Sequence, residues 1–199
     1  DNPAVTLVHA SEVIENEEKG TAAVRGKKDS SMSKALSMLA NGEGDAVISA
    51  GSTGALLTGA TLTVKRIPGI RRAAMAPVLP AGEHGVMLID CGANVECTAE
   101  YLLQFAFMGS FYAKKLMGCE NPRVGLLNIG AEEEKGDALR KEAYQLLKDE
   151  KNINFVGNME AREVMSGDVD VVVCDGFSGN VLLKSIEGTA SFVMSKIKG

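Results

Sequence analysis

The sequence is poor in the residues that metal sites and thiol chemistry need. Its 199 residues include two histidines, His9 and His84, and four cysteines without a CxxC pair. A zinc site is therefore not expected. No histidine lies in any of the turn motifs described below, so the thiols of Cys91 and Cys174 are interpreted as inert. Unpaired thiols favour a reducing, cytoplasmic compartment.

An excess of positive charge and long apolar runs are also absent. The chain has 21 Lys and Arg against 26 Asp and Glu, a formal net charge of −5, which argues against nonspecific nucleic-acid binding. Two local basic clusters, 25–28 and 65–72, are either solvated surface charge or a docking face for an acidic partner. No stretch approaches the roughly 18 apolar residues of a membrane span, and no signal peptide is evident. One domain over residues 1–199 is predicted.

Glycine, with 22 residues, is abundant, and much of it lies in polar turns that follow apolar runs. Four segments have this pattern: DAVISAGSTGALL, GVMLIDCGANV, RVGLLNIGAEEEKGD and VDVVVCDGFSGNV. Runs that are apolar on both faces are typical of parallel strands covered by helices on each side. The sequence therefore predicts an α/β fold with a doubly wound, mainly parallel sheet and helices on both faces. The carboxyl ends of such strands form the ligand crevice.

Hydrophobic spacing and turn signals place the individual elements. Strands are predicted at Val5–His9, Asp45–Ser49, Val86–Ile89, Val124–Leu127, Ile153–Val156 and Val169–Cys174. A helix is predicted to follow Ser30 and Ser31 and to run through Met38. Further helices are predicted at Ala55–Val64, Thr98–Leu116, Asp137–Lys148 and Glu160–Met165, and from Gly179 toward Lys198. The apolar stripe of the helix over 98–116 is interpreted as core or as a subunit interface.

The turn 49–54 combines small residues, two hydroxyls and the start of a helix. Ser52 and Thr53 are candidate ligands for a phosphate, because such a turn offers several N–H and O–H donors at little steric cost. Thr53 is also placed to cap the following helix. The turn is neither a GxGxxG nor a Walker A loop, and a plain strand-to-helix connection is the alternative.

Two further turns place a carboxylate, a glycine and then an asparagine after a strand. They are Asp90 to Asn94 and Asp175 to Asn180, and each alone is equally explained as ordinary turn chemistry. An asparagine amide can polarise a carbonyl or hold a phosphate oxygen, while the aspartate orients neighbouring donors. Two such turns at one sheet edge favour a site.

The turn from Asn128 to Asp137 holds three successive glutamates followed by Lys135. A solvated helix start is one interpretation of this charge run. In the other, Lys135 attracts phosphate and stabilises the oxyanion of acyl transfer, and the glutamates hold its ammonium group in place.

Taken in order, ISAGSTGALL, DCGANV, GLLNIGAEEEKG and VVVCDGFSGNVLLK resemble the bacterial phosphate acyltransferases of phospholipid synthesis, the PlsX family. The resemblance also covers VRGKKDSSM, APVLP and INFVGNMEAREV, and so extends over essentially all 199 residues. It implies a fold similar to phosphotransacetylases and the isocitrate dehydrogenase group. It further implies transfer of a fatty acyl group from acyl-acyl carrier protein to inorganic phosphate, which gives acyl-phosphate.

The same resemblance implies roles for residues and partners. Lys135 and Asn180 would be catalytic, and the substrate-binding residues would be Ser52, Thr53, Asn94, Asn128, Asp175 and Ser178. No cofactor and no metal are implied. Family members are expected to be cytoplasmic homodimers that associate peripherally with the inner face of the membrane. They normally begin with a strand and a DAMGGD turn, which this sequence lacks, so a fragment shortened at both ends is expected.

Acyl transfer to phosphate needs no strong base, because phosphate is already anionic and a thioester is an activated acyl donor. This chemistry fits the missing Ser-His-Asp constellation. Two alternatives stay open: a phosphotransacetylase acting on short acyl-CoA, and a noncatalytic binding module for a fatty acyl or phosphorylated ligand. A nicotinamide-dependent dehydrogenase is a weaker third alternative, since the dinucleotide fingerprint is missing.

Overall fold

The computed structural model describes residues 4–198. The chain divides into two compact units, Asp1–Ala73 and Ala74–Gly199. Each unit has its own hydrophobic core and is described by itself. The prediction that residues 1–199 form one domain stays a prediction.

The first unit is helical in its described part. Its helices are α1 (Gly20–Gly26), α2 (Ser31–Ala40) and α3 (Thr53–Gly59), and a π-helical turn at Ala60–Val64 continues α3. The helix α2 begins at Ser31, which the sequence placed just before the helix, because the Ser30 side chain accepts a hydrogen bond from the Ser33 N–H and caps it. A small core formed by Val24, Met32, Leu36 and Ala55 holds these helices together.

The predicted strands at Val5–His9 and Asp45–Ser49 do not form in the described part of this unit. Leu7 is 94% exposed and Ile48 is 98% exposed. A strand needs a neighbour that pairs with its N–H and C=O groups, and neither segment has one among the described residues. The apolar pattern is that of a strand, but the pattern alone does not supply the partner.

The second unit contains a five-stranded sheet in the order β1-β2-β5-β3-β4. Only β1 is antiparallel to its neighbour; the pairs β2 with β5, β5 with β3 and β3 with β4 are parallel. The strands are β1 (Val78–Leu79), β2 (Val86–Ile89), β3 (Arg123–Asn128), β4 (Asn154–Glu160) and β5 (Val171–Val173), and the helices are α4 (Ala99–Leu116), α5 (Ala138–Asp149) and α6 (Gly176–Lys198), with a 3₁₀ turn at Ala161–Glu163.

Helices cover both faces of this sheet. On one face, Ile89 and Val173 pack with Phe105 of α4 and Leu147 of α5. On the other face, Leu88 and Val172 pack with partly buried side chains of α6. The strands are accordingly buried on both sides, and the fold is the mainly parallel α/β class that the apolar runs predict.

The helices that flank the site begin at side-chain caps. Thr98 accepts from the Tyr101 N–H at 3.3 Å and starts α4, and Asp137 accepts from the Arg140 N–H at 2.9 Å and starts α5. In α4, Phe105 is fully buried, whereas Phe111 is 67% exposed. The predicted apolar stripe is therefore core only in part.

An ion pair ties the amino ends of β3 and β5 together. Asp170 accepts hydrogen bonds from Arg123 Nε at 3.0 Å and Nη2 at 2.9 Å. Burial opposes ionisation of Asp170, but the hydrogen bonds and charge of Arg123 outweigh it and hold the pKa of Asp170 below its usual value.

We expect Asp170→Asn to lower the free energy of unfolding by about 1 kcal/mol at pH 7, a figure reduced because Arg123 is partly exposed. A lowered carboxyl pKa stabilises the fold above the unfolded value of about 3.9, and this contribution is lost as the pH falls through the folded-state pKa. Urea titrations at pH 7 and below pH 4 should therefore show that the difference in unfolding free energy between the unmodified chain and Asp170→Asn is smaller in acid. Glu187→Gln, in the exposed Lys184–Glu187 pair, is the control and should change little.

Candidate active site

Three of the four predicted turns lie at the same edge of the sheet. Asp90 follows β2, Asn128 ends β3, and Asp175 follows β5 by two residues. Because these strands are parallel neighbours in the order β2-β5-β3, their carboxyl ends lie side by side. The expected convergence of the turns is therefore present for the three that belong to the second unit.

Asp90 organises the first turn. Its carboxylate is fully buried and accepts from the backbone N–H groups of Met75 at 2.8 Å, Ala93 at 3.3 Å and Asn94 at 2.7 Å. The Asn94 amide also donates to it, with Nδ2 to Oδ2 at 2.9 Å. The backbone N–H and the side-chain amide of Asn94 both therefore shape the turn, and the role of Asn94 in substrate binding stays a prediction.

Asn128 closes the second turn onto itself. Its Oδ1 accepts from the Ile129 N–H at 2.8 Å, and its Nδ2 donates to the Lys135 carbonyl oxygen at 3.1 Å. The side chain is only 7% exposed. Asn128 therefore fixes the backbone of Lys135, and any contact of Asn128 with a ligand is a separate prediction.

Lys135 extends from this turn with its ammonium group available. The side chain is exposed, and among residues 4–198 its Nζ has no hydrogen bond or ion pair within the chain. The expectation that the neighbouring glutamates hold it is not met. Glu133 instead accepts from Lys148 at 2.8 Å and from Gln145 at 2.8 Å. Lys135 is thus an unneutralised positive charge at the sheet edge.

Arg140 joins the second and third turns, and the motifs in the sequence did not single it out. Its Nη1 donates to Asp137 at 2.8 Å, and its Nη2 donates to Asp175 at 2.5 Å and to the Ser178 hydroxyl at 2.9 Å. Burial alone would lower the pKa of Arg140, but the hydrogen bonds and charges of the two aspartates raise it. The sequence offers one weak local indication of this contact: Arg140 follows the capping residue Asp137 by three positions, a spacing that lets the two side chains meet on a helix.

Asp175 and Ser178 form the start of α6. Asp175 Oδ1 accepts from the Ser178 N–H at 2.8 Å, and Oδ2 accepts from the Ser178 hydroxyl at 2.8 Å. Asp175 is 7% exposed. Its contacts within the chain make it a positioning group at this edge, and its role in substrate binding stays a prediction.

Asn180 lies where the first and third turns meet. A Cβ placed on Gly92 would be 3.7 Å from Asn180 Cγ, so the side chain passes over the first turn. Asn180 is exposed, and no hydrogen bond of its amide is found among the described residues. Gly176 donates its N–H to the Asn94 carbonyl at 2.8 Å, which brings the two turns together. A catalytic role for the Asn180 amide stays a prediction.

An apolar cleft of about 580 Å³ opens between the second and third turns. Asn128, Arg140 and Ser178 are among the polar residues that line it. The apolar residues that line it are Leu127, Ile129, Ala161, Phe177, Val181 and Leu182. The volume is within the range of small-molecule sites in proteins, which is roughly 300 to 1,000 Å³.

Ser52 and Thr53 belong to the first unit. The structure corrects the predicted cap: Ser52, the residue before α3, accepts from the Ala55 N–H at 3.4 Å, and Thr53 is the first residue of the helix. The cap lies one residue earlier because the helix itself begins at Thr53. Phosphate binding by these two residues stays a prediction.

The cysteines near the sheet edge are not activated. Burial, with the charge of Asp90, raises the pKa of Cys91 to about 12, and burial raises the pKa of Cys174. Both are therefore protonated thiols at neutral pH. Among residues 4–198, no group of three or more His, Cys, Asp and Glu side chains could hold a metal ion.

Comparison with known proteins identifies the family of the whole chain. A family model described as fatty acid synthesis protein matches residues 1–199. A phosphate acyltransferase of Clostridium perfringens is 56% identical over 198 residues, which are 100% of this chain and 58% of that protein. A phosphate acyltransferase of Clostridium acetobutylicum is 52% identical over 195 residues, 98% of this chain and 59% of that protein. The chain thus spans under two thirds of these relatives.

Solved structures share the fold at low sequence identity. The EutD phosphotransacetylase from Staphylococcus aureus has a TM-score of 0.62 at 21% identity, covering 77% of this chain and 54% of that one. A phosphotransacetylase from Streptococcus pyogenes has a TM-score of 0.60 at 19% identity, covering 90% of this chain and 65% of that one. These similarities are to the α/β fold.

Proposed function

Because this chain belongs to the family of fatty acid synthesis proteins, we propose that it carries the catalytic edge of a phosphate acyltransferase of phospholipid synthesis. The reaction is transfer of a fatty acyl group from acyl-acyl carrier protein to inorganic phosphate. A phosphate oxygen attacks the thioester carbonyl carbon and forms a C–O bond, which gives a tetrahedral oxyanion. The C–S bond then breaks, the carbonyl re-forms, and the carrier thiolate leaves acyl-phosphate behind.

The observation that carries this proposal is the unneutralised ammonium group of Lys135 at an edge where three turns converge. A phosphate and the developing oxyanion are both negative, and a fixed positive charge beside them lowers the barrier. Asn128 fixes the backbone of Lys135, so the side chain extends from a defined point of this edge. The relatives named phosphate acyltransferase support the same chemistry.

The other roles follow from where the donors lie. Asn180, with an amide that has no hydrogen bond among the described residues, stabilises the oxyanion of the tetrahedral intermediate. Ser178, which lines the cleft, and Asn94, which shapes the first turn, bind phosphate or thioester. Asp175 and Asn128 act mainly by holding the turns, and Ser52 and Thr53 stay proposed phosphate ligands of the other unit. No metal or cofactor enters any step.

Partners and location are part of the proposal. Acyl carrier protein is acidic as a class, so the exposed basic cluster from Lys65 to Arg72 is the proposed docking face. We propose a cytoplasmic homodimer that contacts the inner face of the membrane peripherally, and the exposed Phe192 and Ile197 of α6 are compatible with an association surface. Among residues 4–198, no helix is long and apolar enough to cross a membrane.

Lys135→Ala should reduce acyl-phosphate formation at least tenfold, because about 1.4 kcal/mol or more of transition-state stabilisation is removed. The assay adds acyl-acyl carrier protein and phosphate to a chain extended to the length of the relatives and traps acyl-phosphate with hydroxylamine. Acyl-CoA in place of the acyl carrier tests the phosphotransacetylase alternative.

Lys141→Ala is the matched control, since Lys141 is an exposed lysine one turn into α5 and does not line the cleft. It should leave turnover unchanged. Near wild-type turnover of Lys135→Ala would remove Lys135 from the mechanism. No acyl-phosphate from the unmodified chain, with either donor, would leave the binding-module alternative.

A further inference from the structure

The hydroxyl group of Ser178, which lines the cleft, lies between two charged side chains. Its Oγ is 2.9 Å from Arg140 Nη2 and 2.8 Å from Asp175 Oδ2. A guanidinium group only donates hydrogen bonds, and an ionised carboxylate only accepts them. The hydroxyl therefore accepts from Arg140 and donates its single hydrogen to Asp175.

The two charged side chains also hold each other, which fixes the direction of this hydroxyl. Arg140 Nη2 donates to Asp175 Oδ2 at 2.5 Å, and Asp175 Oδ1 accepts from the Ser178 N–H at 2.8 Å. The side chains of Arg140 and Asp175 are 15% and 9% exposed, so water has little access to either. Rotation of the hydroxyl hydrogen toward the cleft would leave a buried carboxylate oxygen with one donor fewer, which is unfavourable.

A ligand in the cleft consequently meets a Ser178 hydroxyl that has no hydrogen to donate. The oxygen keeps one lone pair that can accept. An anion without a hydrogen, such as sulfate, offers this lone pair only another acceptor. The hydrogen phosphate dianion has the same charge and the same tetrahedral shape, and its P–OH group can donate to Ser178. The site can thus distinguish two anions that differ by one proton.

Resting on the function proposed above, we propose that Arg140, Asp175 and Ser178 select hydrogen phosphate over tetrahedral anions that carry no proton. Ser178 accepts the P–OH hydrogen bond, and Arg140 and Asp175 are positioning residues that fix the direction of its hydroxyl. The unprotonated oxygens of the bound phosphate are left to the Lys135 ammonium group. A site built around one hydrogen bond of its ligand discriminates against an analogue that cannot form that bond.

The test compares the binding of three dianions at pH 8 and constant ionic strength: hydrogen phosphate, monofluorophosphate and sulfate. Only hydrogen phosphate carries a hydrogen. Each anion is titrated into the 199-residue chain, and the backbone amide chemical shifts are followed by nuclear magnetic resonance. Shifts at Ser178 and its neighbours locate the binding. Hydrogen phosphate should bind at least about tenfold more tightly than either of the other two anions.

Ser178→Ala removes the accepting oxygen. It should weaken the binding of hydrogen phosphate at least about fivefold and should not weaken the binding of sulfate. Ser185→Ala is the matched control, because Ser185 lines the same cleft on the same helix and has no hydrogen bond of its hydroxyl among the described residues. The control should leave the preference for hydrogen phosphate unchanged.

Arg140→Ala combined with Asp175→Asn turns the hydroxyl around without a change in net charge. The Ser178 N–H retains the oxygen of the new amide, so the NH₂ group faces Ser178 Oγ and releases its hydrogen toward the cleft. The preference for hydrogen phosphate over monofluorophosphate should fall at least about fivefold. Lys184→Ala combined with Glu187→Gln, an exposed pair on α6 outside the cleft, should leave it unchanged. A general loss of structure would instead weaken all three anions together.

Equal binding of the three anions, no binding of any of them, or a preference that survives in Ser178→Ala would overturn the proposed selectivity. If the extended chain forms acyl-phosphate alongside such a result, the proposed reaction is kept. Selective binding of hydrogen phosphate by a chain that forms no acyl-phosphate would refute the reaction and keep the anion site. The two failures are therefore distinguishable.

Discussion

Gly179→Ala is expected to lower the free energy of unfolding by about 3 kcal/mol, at the upper end for overpacked sites. A Cβ on Gly179 would lie 1.9 Å from the Asp90 carbonyl oxygen and 2.7 Å from Cys174 Sγ. Alanine normally stabilises a helix by up to about 1 kcal/mol over glycine, so the sign of the effect here depends on this overlap alone.

The Asp90 carbonyl cannot move aside cheaply. The Asp90 N–H donates to the Cys174 carbonyl at 3.0 Å, and the Asp90 side chain is held by the turn that it organises. Relief must come from a shift of α6, which would carry Ser178 and Asn180 away from the edge. We therefore expect loss of acyl-phosphate formation along with the loss of stability.

Gly188→Ala is the control, because Gly188 lies on the same helix and a Cβ there meets nothing within 4 Å. It should stabilise the chain by about 0.5 to 1 kcal/mol. Urea denaturation followed by circular dichroism measures both variants. If the unfolding free energies of Gly179→Ala and Gly188→Ala agree within about 0.5 kcal/mol, the overlap of the new Cβ with the Asp90 carbonyl does not destabilise the fold.

Local patterns predicted the second unit well because its strands are buried on both faces. The apolar runs ending at Ile89, Leu127 and Cys174 correspond to β2, β3 and β5, and each is followed by its turn at the expected edge. The equally apolar Val47 and Ile48 form no strand in the described part of the chain. Pairing is a property of two segments, and one segment's pattern does not contain it.

The site was predictable in its turns and not in its connections. Lys135 was singled out because its positive charge in a glycine-bearing turn can attract phosphate and because the family resemblance implies a catalytic role for it. The sequence did not predict that Lys135 makes no ion pair with the glutamates among the described residues. Glu133 pairs instead with Lys148, 15 residues away along the chain. Arg140 was missed for the same reason: its partner Asp175 is 35 residues distant in sequence. Such pairs are set by the sheet order.

Arg140→Ala is expected to cost about 3 kcal/mol of unfolding free energy at pH 7, the range for breaking one side of a buried ion pair. The Asp175 side chain is 9% exposed and that of Arg140 is 15% exposed. Without Arg140, Asp175 keeps only the two donors of Ser178, and a buried carboxylate is left without a counter-charge.

Two variants separate this mechanism from simple loss of side-chain packing. Arg140→Ala combined with Asp175→Asn removes the stranded charge and should recover at least about 1 kcal/mol relative to Arg140→Ala alone. Arg162→Ala breaks an ion pair with Glu160 in which Arg162 is 78% exposed, and should change stability by less than about 0.5 kcal/mol.

The pH dependence of the unfolding free energy gives a further test of the charge mechanism. In Arg140→Ala, the buried carboxylate of Asp175 has no guanidinium beside it, so the stability deficit against the unmodified chain comes from uncompensated negative charge. Acid reduces the negative charge of the chain, so this deficit should shrink as the pH falls. Urea titrations from pH 7 to pH 5 measure this trend. A deficit that stays constant over that range, with no recovery in the double variant, would mean that Arg140 acts through its contacts with the cleft wall and not through charge.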